Sequence, residues 1–313
     1  GSMSVGGSAG IGYGGSSNYD RGNTWSSGDS LTFTGSGELD NGMTVTTYQE
    51  IDNGSLDDRY VSVEMDGLGK ITFNAHGGSS AMSAVDDTTP TAYGESWDLI
   101  GHTSASTSKT AGQSDKEGAI GGFGTNNSFM YDMPEMIDGL DVNISYVPSG
   151  TTTTAAESTT KLARPDGSVS WALAYTGVEG LTASYGTGET NTIGSEQDHD
   201  TMKVSYAIGS FTVGISQTES KYDAAASVDE SVDSWQVAYT ISDDLSVTYG
   251  VDTIETESQS IDEEAAALGV SYTTGGVTLT ATKFDSSGQG NSNTEGSLTG
   301  DQERWSLGAS FAF

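Results

Sequence analysis

The stretch "ERWSLGASFAF", residues 303–313, ends the chain and alternates without a break. Trp305, Leu307, Ala309, Phe311 and Phe313 share one face, and Arg304, Ser306, Gly308, Ser310 and Ala312 share the other. A period of two marks a β-strand. The second face is small or hydroxyl-bearing, whereas the outer surface of a soluble sheet usually carries many Lys and Glu side chains. Such a strand has one side for an apolar medium and one for water.

The same grammar recurs upstream. "VSWALAYTG" sets Val169, Trp171, Leu173 and Tyr175 against Ser170, Ala172 and Ala174. "MKVSYAIG", "WQVAYTI" and "LSVTYGV" repeat the arrangement from Met202, Trp235 and Leu245. Tyr146, Tyr175, Tyr185, Tyr206, Tyr239, Tyr249 and Tyr272 sit at the ends of apolar faces, as interfacial aromatics do around a lipid-facing band.

Tight turns alternate with long polar connections. Asp40-Asn41-Gly42, Asp66-Gly67-Leu68-Gly69, Gly177-Val178-Glu179-Gly180, Ile208-Gly209-Ser210, Ser242-Asp243-Asp244 and Thr274-Gly275-Gly276 suit hairpin reversals. Residues 149–167, 187–199, 221–231, 255–263 and 286–302 read as long loops. Sixteen strands follow, starting near residues 3, 28, 42, 58, 69, 126, 139, 168, 180, 200, 210, 232, 244, 264, 276 and 302. Lipid offers no hydrogen bonds, so a spanning sheet must close on itself. The expected fold class is all-β: a transmembrane antiparallel β-barrel of sixteen strands forming a single domain over residues 1–313. The alternative is a soluble acidic β-sandwich or solenoid acting in adhesion or binding.

Composition narrows the partners. Acidic residues number 44 against 11 basic ones, a net charge of −33. Nucleic acid is excluded as a partner because phosphate contacts need clustered Lys and Arg. There is no Cys, hence no disulfide or thiol chemistry. No apolar run is long enough for a membrane-crossing helix. No basic-then-apolar leader opens the chain, which implies a chain that is either mature or never exported by that route.

The whole chain resembles the Gram-negative general porins, the sixteen-stranded trimeric class, and most closely their acidic alphaproteobacterial branch. The resemblance rests on "DRYVSVEMDGLGKITFNAHG" (58–77), "NNSFMYDMPEMIDGLDVNISYVP" (126–148) and the terminal "SLGASFAF". It implies short periplasmic turns, long extracellular loops, a homotrimer, and an outer-membrane setting with lipid and lipopolysaccharide around it. It also implies that Phe313 is the terminal aromatic read by the barrel-assembly machinery, and that the channel passes small hydrophilic solutes passively. A channel selective for one substrate class is the alternative within that fold.

Residues 78–125 lack clean alternation, and so long a loop usually has a function. The resemblance makes this segment the third extracellular loop, folded into the lumen as a constriction. "YGESWDLIG" (93–101) suits one helical turn, and the segment carries Asp86, Asp87, Glu95, Asp98, Asp115 and Glu117 against Lys109 and Lys116. Alternation puts Lys70, Lys203 and Arg304 on the lumen side, with His76 at the root of the loop; the direction of Arg59 stays open. Few basic residues are available to oppose an acidic loop, so the net charge predicts cation preference.

Other chemistry is weakly supported. Gly10-Ile11-Gly12-Tyr13-Gly14-Gly15 has the spacing of a dinucleotide loop but lies on a strand with no helix after it. His76, His102 and His199 form no arguable set with a Ser and a carboxylate, so no enzyme activity is expected. Glu255, Glu257, Asp262, Glu263 and Glu264 offer the oxygen ligands Ca²⁺ favours, with solvated carboxylates as the alternative; no other cofactor is expected.

Overall fold

The computed structural model describes residues 1–16, 23–85, 126–148, 167–191, 196–223, 229–257, 259–288 and 301–313. The sixteen strands are β1 (Ser2–Ser16), β2 (Thr24–Glu38), β3 (Thr44–Asp52), β4 (Ser55–Met65), β5 (Gly69–His76), β6 (Ser128–Asp132), β7 (Leu140–Val147) and β8 (Gly167–Tyr175). The second half comprises β9 (Leu181–Asn191), β10 (Gln197–Ile208), β11 (Phe211–Tyr222), β12 (Glu230–Ser242), β13 (Leu245–Thr256), β14 (Glu263–Thr274), β15 (Val277–Ser287) and β16 (Gln302–Ala312). Each pairs antiparallel with its sequence neighbours, and β1 pairs with β16, so the sheet closes into one barrel.

The closure is stitched at the chain ends. Gly7 N donates to Phe313 O, and Phe313 N donates back to Gly7 O, both at 2.9 Å. A Cβ on Gly7 would lie 3.0 Å from the Phe313 ring, so glycine keeps the notch in which that ring lies.

The bulky apolar groups point outward. Met3, Val5, Trp25, Ile208 and Phe313 are each more than half exposed, and no dry centre gathers them. The six tyrosines Tyr146, Tyr185, Tyr206, Tyr239, Tyr249 and Tyr272 are likewise on the outer face. Neighbouring rings pair there: Phe211 stacks on Tyr239 at 4.5 Å, and Trp235 meets Tyr249 at 5.6 Å. This outer surface is what a lipid-facing barrel requires and what a sandwich lacks.

Two features depart from the alternation of turn lengths. On the long-loop side, β3 and β4 are joined by Asn53-Gly54 alone, with φ of 48° and 81°. Both residues at positive φ make this a two-residue hairpin turn. Its amide is fixed by Asn53 N donating to Asp29 O at 2.9 Å. Secondly, β9, β10, β13 and β14 extend into segments expected to be loop, placing Thr187, His199, Glu255 and Glu263 on strands.

Candidate functional site

The lumen face follows from the register. Ser4, Thr34, Tyr48 and Tyr60 fall opposite to Val5, Phe33, Val45 and Val61, whose side chains lie on the outer face. Around β16, β1 and β2 the inner face is Ser306, Gly308, Ser8, Gly10, Ser30 and Thr32, all with water access. Among the described residues these inner faces are mostly small or hydroxyl-bearing between Arg304 on β16 and Tyr48 on β3.

The opposite arc is packed. Through the middle and outer reaches of β7–β15, the inward residues Ser145, Ala172, His199, Thr218, Gln236, Asp252 and Phe284 are all buried. Val232, Ile254, Ala265, Ala267 and Phe284 even form an apolar cluster on the lumen side. The barrel interior is therefore lopsided, open along β16–β4 and filled along β7–β15.

The first residues of the third loop explain part of this asymmetry. Gly77 and Gly78 both have positive φ, 56° and 89°, and turn the chain sharply after β5. Gly78 N donates to Asp58 Oδ1 at 2.6 Å, Gly77 N to Asn126 Oδ1 at 2.8 Å, and Asn74 Nδ2 to Ser79 O at 2.9 Å. Ala81 N then donates to Ser145 Oγ at 3.1 Å, and the 3₁₀ turn Met82–Val85 lies on β8 and β9. Ala81 and Val85 cluster with Ala172, and Gly186 leaves room for Met82 and Val85. Ala172 and Gly186 are register partners on the lumen side, so residues 79–85 run inside the barrel.

Charges are unevenly placed. Lys70 faces inward and pairs with Asp132 at 2.7 Å. Lys203 is inward and buried, and Arg304 is inward beside Ser16 and Phe284. His76 is different: Asn74 partners the inward Tyr60, but the bulge that follows makes His76 the partner of the outward Arg59 and so turns it outward. Its Nδ1 lies 2.6 Å from Asp57 O. Arg59 shares the outer face with Gln49. Asp86, Asp87, Glu95, Asp98 and Lys109 lie outside the described residues, as do Asp115, Lys116, Glu117 and the helical turn expected over 93–101.

The structure spreads the acidic set of the β13–β14 loop over two faces. Ile254, on the lumen side, partners Glu263, whereas Glu264 and Glu255 lie on the outer face with Thr253 and Ser231. Among the described residues the carboxylates that converge are others: ligand atoms of Glu50, Asp57 and Asp58 lie within 4.8 Å of one another. A register shift between Gln49 and Ile51 places an extra β4 residue opposite Glu50 and brings both aspartates beside it. Sequence reading passed over this region, although "TVTTYQE" already sets Thr44, Thr46, Tyr48 and Glu50 on one parity. Glu64, Asp132 and Asp141 add to the acidic side of the lumen.

The model of the Gram-negative porin family matches residues 1–248. The chain belongs to that family. With the closed sixteen-stranded barrel, this places it in the outer membrane of a Gram-negative bacterium as a channel. Among solved structures, the anion-selective porin from Comamonas acidovorans superposes with a TM-score of 0.69 at 14% identity, covering 100% of this chain and 99% of that one. A porin refined at 1.8 Å gives 0.67 at 17% identity, covering 100% of both chains. The trimer form of OmpT, an outer-membrane protein of Vibrio cholerae, gives 0.69 at 13% identity over 100% and 99%. At such identities the likeness is one of fold. Among curated proteins, none matches the sequence.

Proposed function

We propose that this porin is a non-enzymatic, cation-preferring channel for passive diffusion of small hydrophilic solutes and ions, working without a cofactor. Family membership leaves the sign of selectivity open, since one structural neighbour is an anion-selective porin. The observation that carries the reading is the charge on the inner wall. Glu50, Asp58, Glu64 and Asp141 face the lumen, while Lys70 is already paired with Asp132. Lumen charges act on ions through the local field, and an acidic mouth concentrates cations most strongly at low salt.

The working unit is a homotrimer, as in the Vibrio cholerae neighbour's trimer form. Lipid and lipopolysaccharide contact the outer face, and Phe313 serves the barrel-assembly machinery as the terminal signal. Residues 78–125 form the constriction, a role supported by the inward path of residues 79–85. Reversal potentials across a planar bilayer under a KCl gradient test the sign directly. Preference for potassium is expected, and preference for chloride would refute the electrostatic reading.

A further inference from the structure

Tyr48 and Tyr60 are the aromatic side chains on the open arc of the lumen among the described residues. They are register partners on β3 and β4, with ring centroids 4.9 Å apart and planes 17° from parallel. Tyr60 therefore covers one face of Tyr48, and the other face turns toward β2. At that level β2 presents Thr34, whose own partner on β1 is Ser4. Neither residue carries a ring, so among the described residues the second face of Tyr48 looks over a floor of hydroxyls. The Tyr48 hydroxyl donates to Glu50 Oε2 at 2.8 Å, which fixes the carboxylate at the edge of that floor and leaves its other oxygen for a second donor.

We propose that the face of Tyr48 turned away from Tyr60 and the Glu50 carboxylate form a binding subsite on the lumen wall for solutes carrying a planar guanidinium group. A guanidinium presents paired N–H donors to a carboxylate in one plane and lays the same plane on an aromatic face. The Tyr48–Glu50 geometry offers both partners at once. A primary ammonium of equal charge is compact and strongly hydrated, so it is drawn by the carboxylate but gains less from the ring. Water bathes the site, which keeps contact brief, as a conducting path requires. The inference rests on the channel admitting cations, as read above.

The test records single channels of the purified porin in a planar bilayer in KCl, with arginine amide or lysine amide added to one side. The two probes carry the same charge and differ in head group. Arginine amide is expected to interrupt the current with longer dwells than lysine amide. Tyr48→Leu should shorten the arginine amide dwell roughly two- to fivefold and leave the lysine amide dwell unchanged. Tyr48→Phe keeps the ring face and should keep most of the arginine preference. Glu50→Gln should shorten both dwells, that of arginine amide more. A heat-modifiable Tyr48→Leu barrel that still forms discrete KCl channels shows that the barrel itself is intact. Equal dwells for the two probes, or an arginine amide dwell indifferent to Tyr48→Leu or Glu50→Gln, would overturn the proposal. Chloride preference in a salt gradient defeats the broader reading instead, because the comparison of head groups at equal charge is separate from it.

Discussion

Substitution of Gly186 tests whether the start of the third loop is held by the seat it occupies on β8 and β9. A Cβ at position 186 would lie 2.9 Å from Met82 Sδ and from Val85 Cγ2. Optimal non-bonded contacts lie at about 3.5–4.0 Å, so both neighbours must retreat. Overpacking of this kind costs about 1–3 kcal/mol. Against it stands the burial of Met82 and Val85, which are 1% and 0% exposed. Burying such side chains contributes about 1.5–3 kcal/mol each, so about 3–6 kcal/mol for the pair. Gly186→Ala is therefore expected to strain the seat without emptying it. Gly186→Leu places three more carbons in the same space and should displace the turn. The wall does not depend on the seat, so the folded barrel should still shift mobility on heating in detergent gels. Single-channel recordings should show conductance near that of the parent with more noise for alanine, and altered conductance with frequent substates for leucine. A folded Gly186→Leu barrel with parental conductance and noise would refute the reasoning.

Two further substitutions address closure and charge. Gly7→Leu forces a side chain into the notch beside Phe313 and within 2.5 Å of Ser30 O; a destabilisation of about 1–3 kcal/mol and a lower yield of heat-modifiable barrel on refolding are expected, and parental yield would contradict the closure described. Lys70→Gln releases Asp132 into the lumen and should raise the potassium-to-chloride permeability ratio. Both partners are water-accessible, at 45% and 25%, so stability should change by less than about 1 kcal/mol, and a fall in the ratio would count against the electrostatic reading.

The architecture was legible because lipid and water demand opposite side chains on one strand. β5 and β16 begin at Gly69 and Gln302, the positions alternation assigns them. β2 begins four residues earlier than expected, at Thr24, because "TWSSG" offers Trp25 as its sole outward signal. The pattern misleads near the extracellular ends, where parity reverses: Asp233 and Lys283 face out, while Val232, Ile254 and Phe284 face in. Beyond the apolar band the outer face no longer meets hydrocarbon, and the inner face is packed, so polarity ceases to report direction. Bulges add a second failure. A one-residue insertion rotates every later side chain, which is why counting parity misdirects His76 and hides the convergence of Asp57 and Asp58 on Glu50.

The lopsided interior also decides which charges govern permeation. Asp252, Glu263 and Lys203 lie on the filled arc, each at most 5% exposed. An ion in transit follows the water along β16–β4, where hydroxyls and glycine give way to Tyr48, Glu50, Asp58 and Glu64. The net charge of the whole chain is therefore a poor guide to selectivity, since many of its carboxylates, such as Asp233 and Glu264, face outward or sit in loops. What sets the sign is a short acidic stretch of one wall, with the inward Lys70 opposite Glu64 and paired with Asp132, and Arg304 inward on β16. Moving charge there should alter ion preference, and moving it on the outer face of β12–β14 should leave preference largely unaltered, because the sheet and its filled interior stand between those groups and the water path.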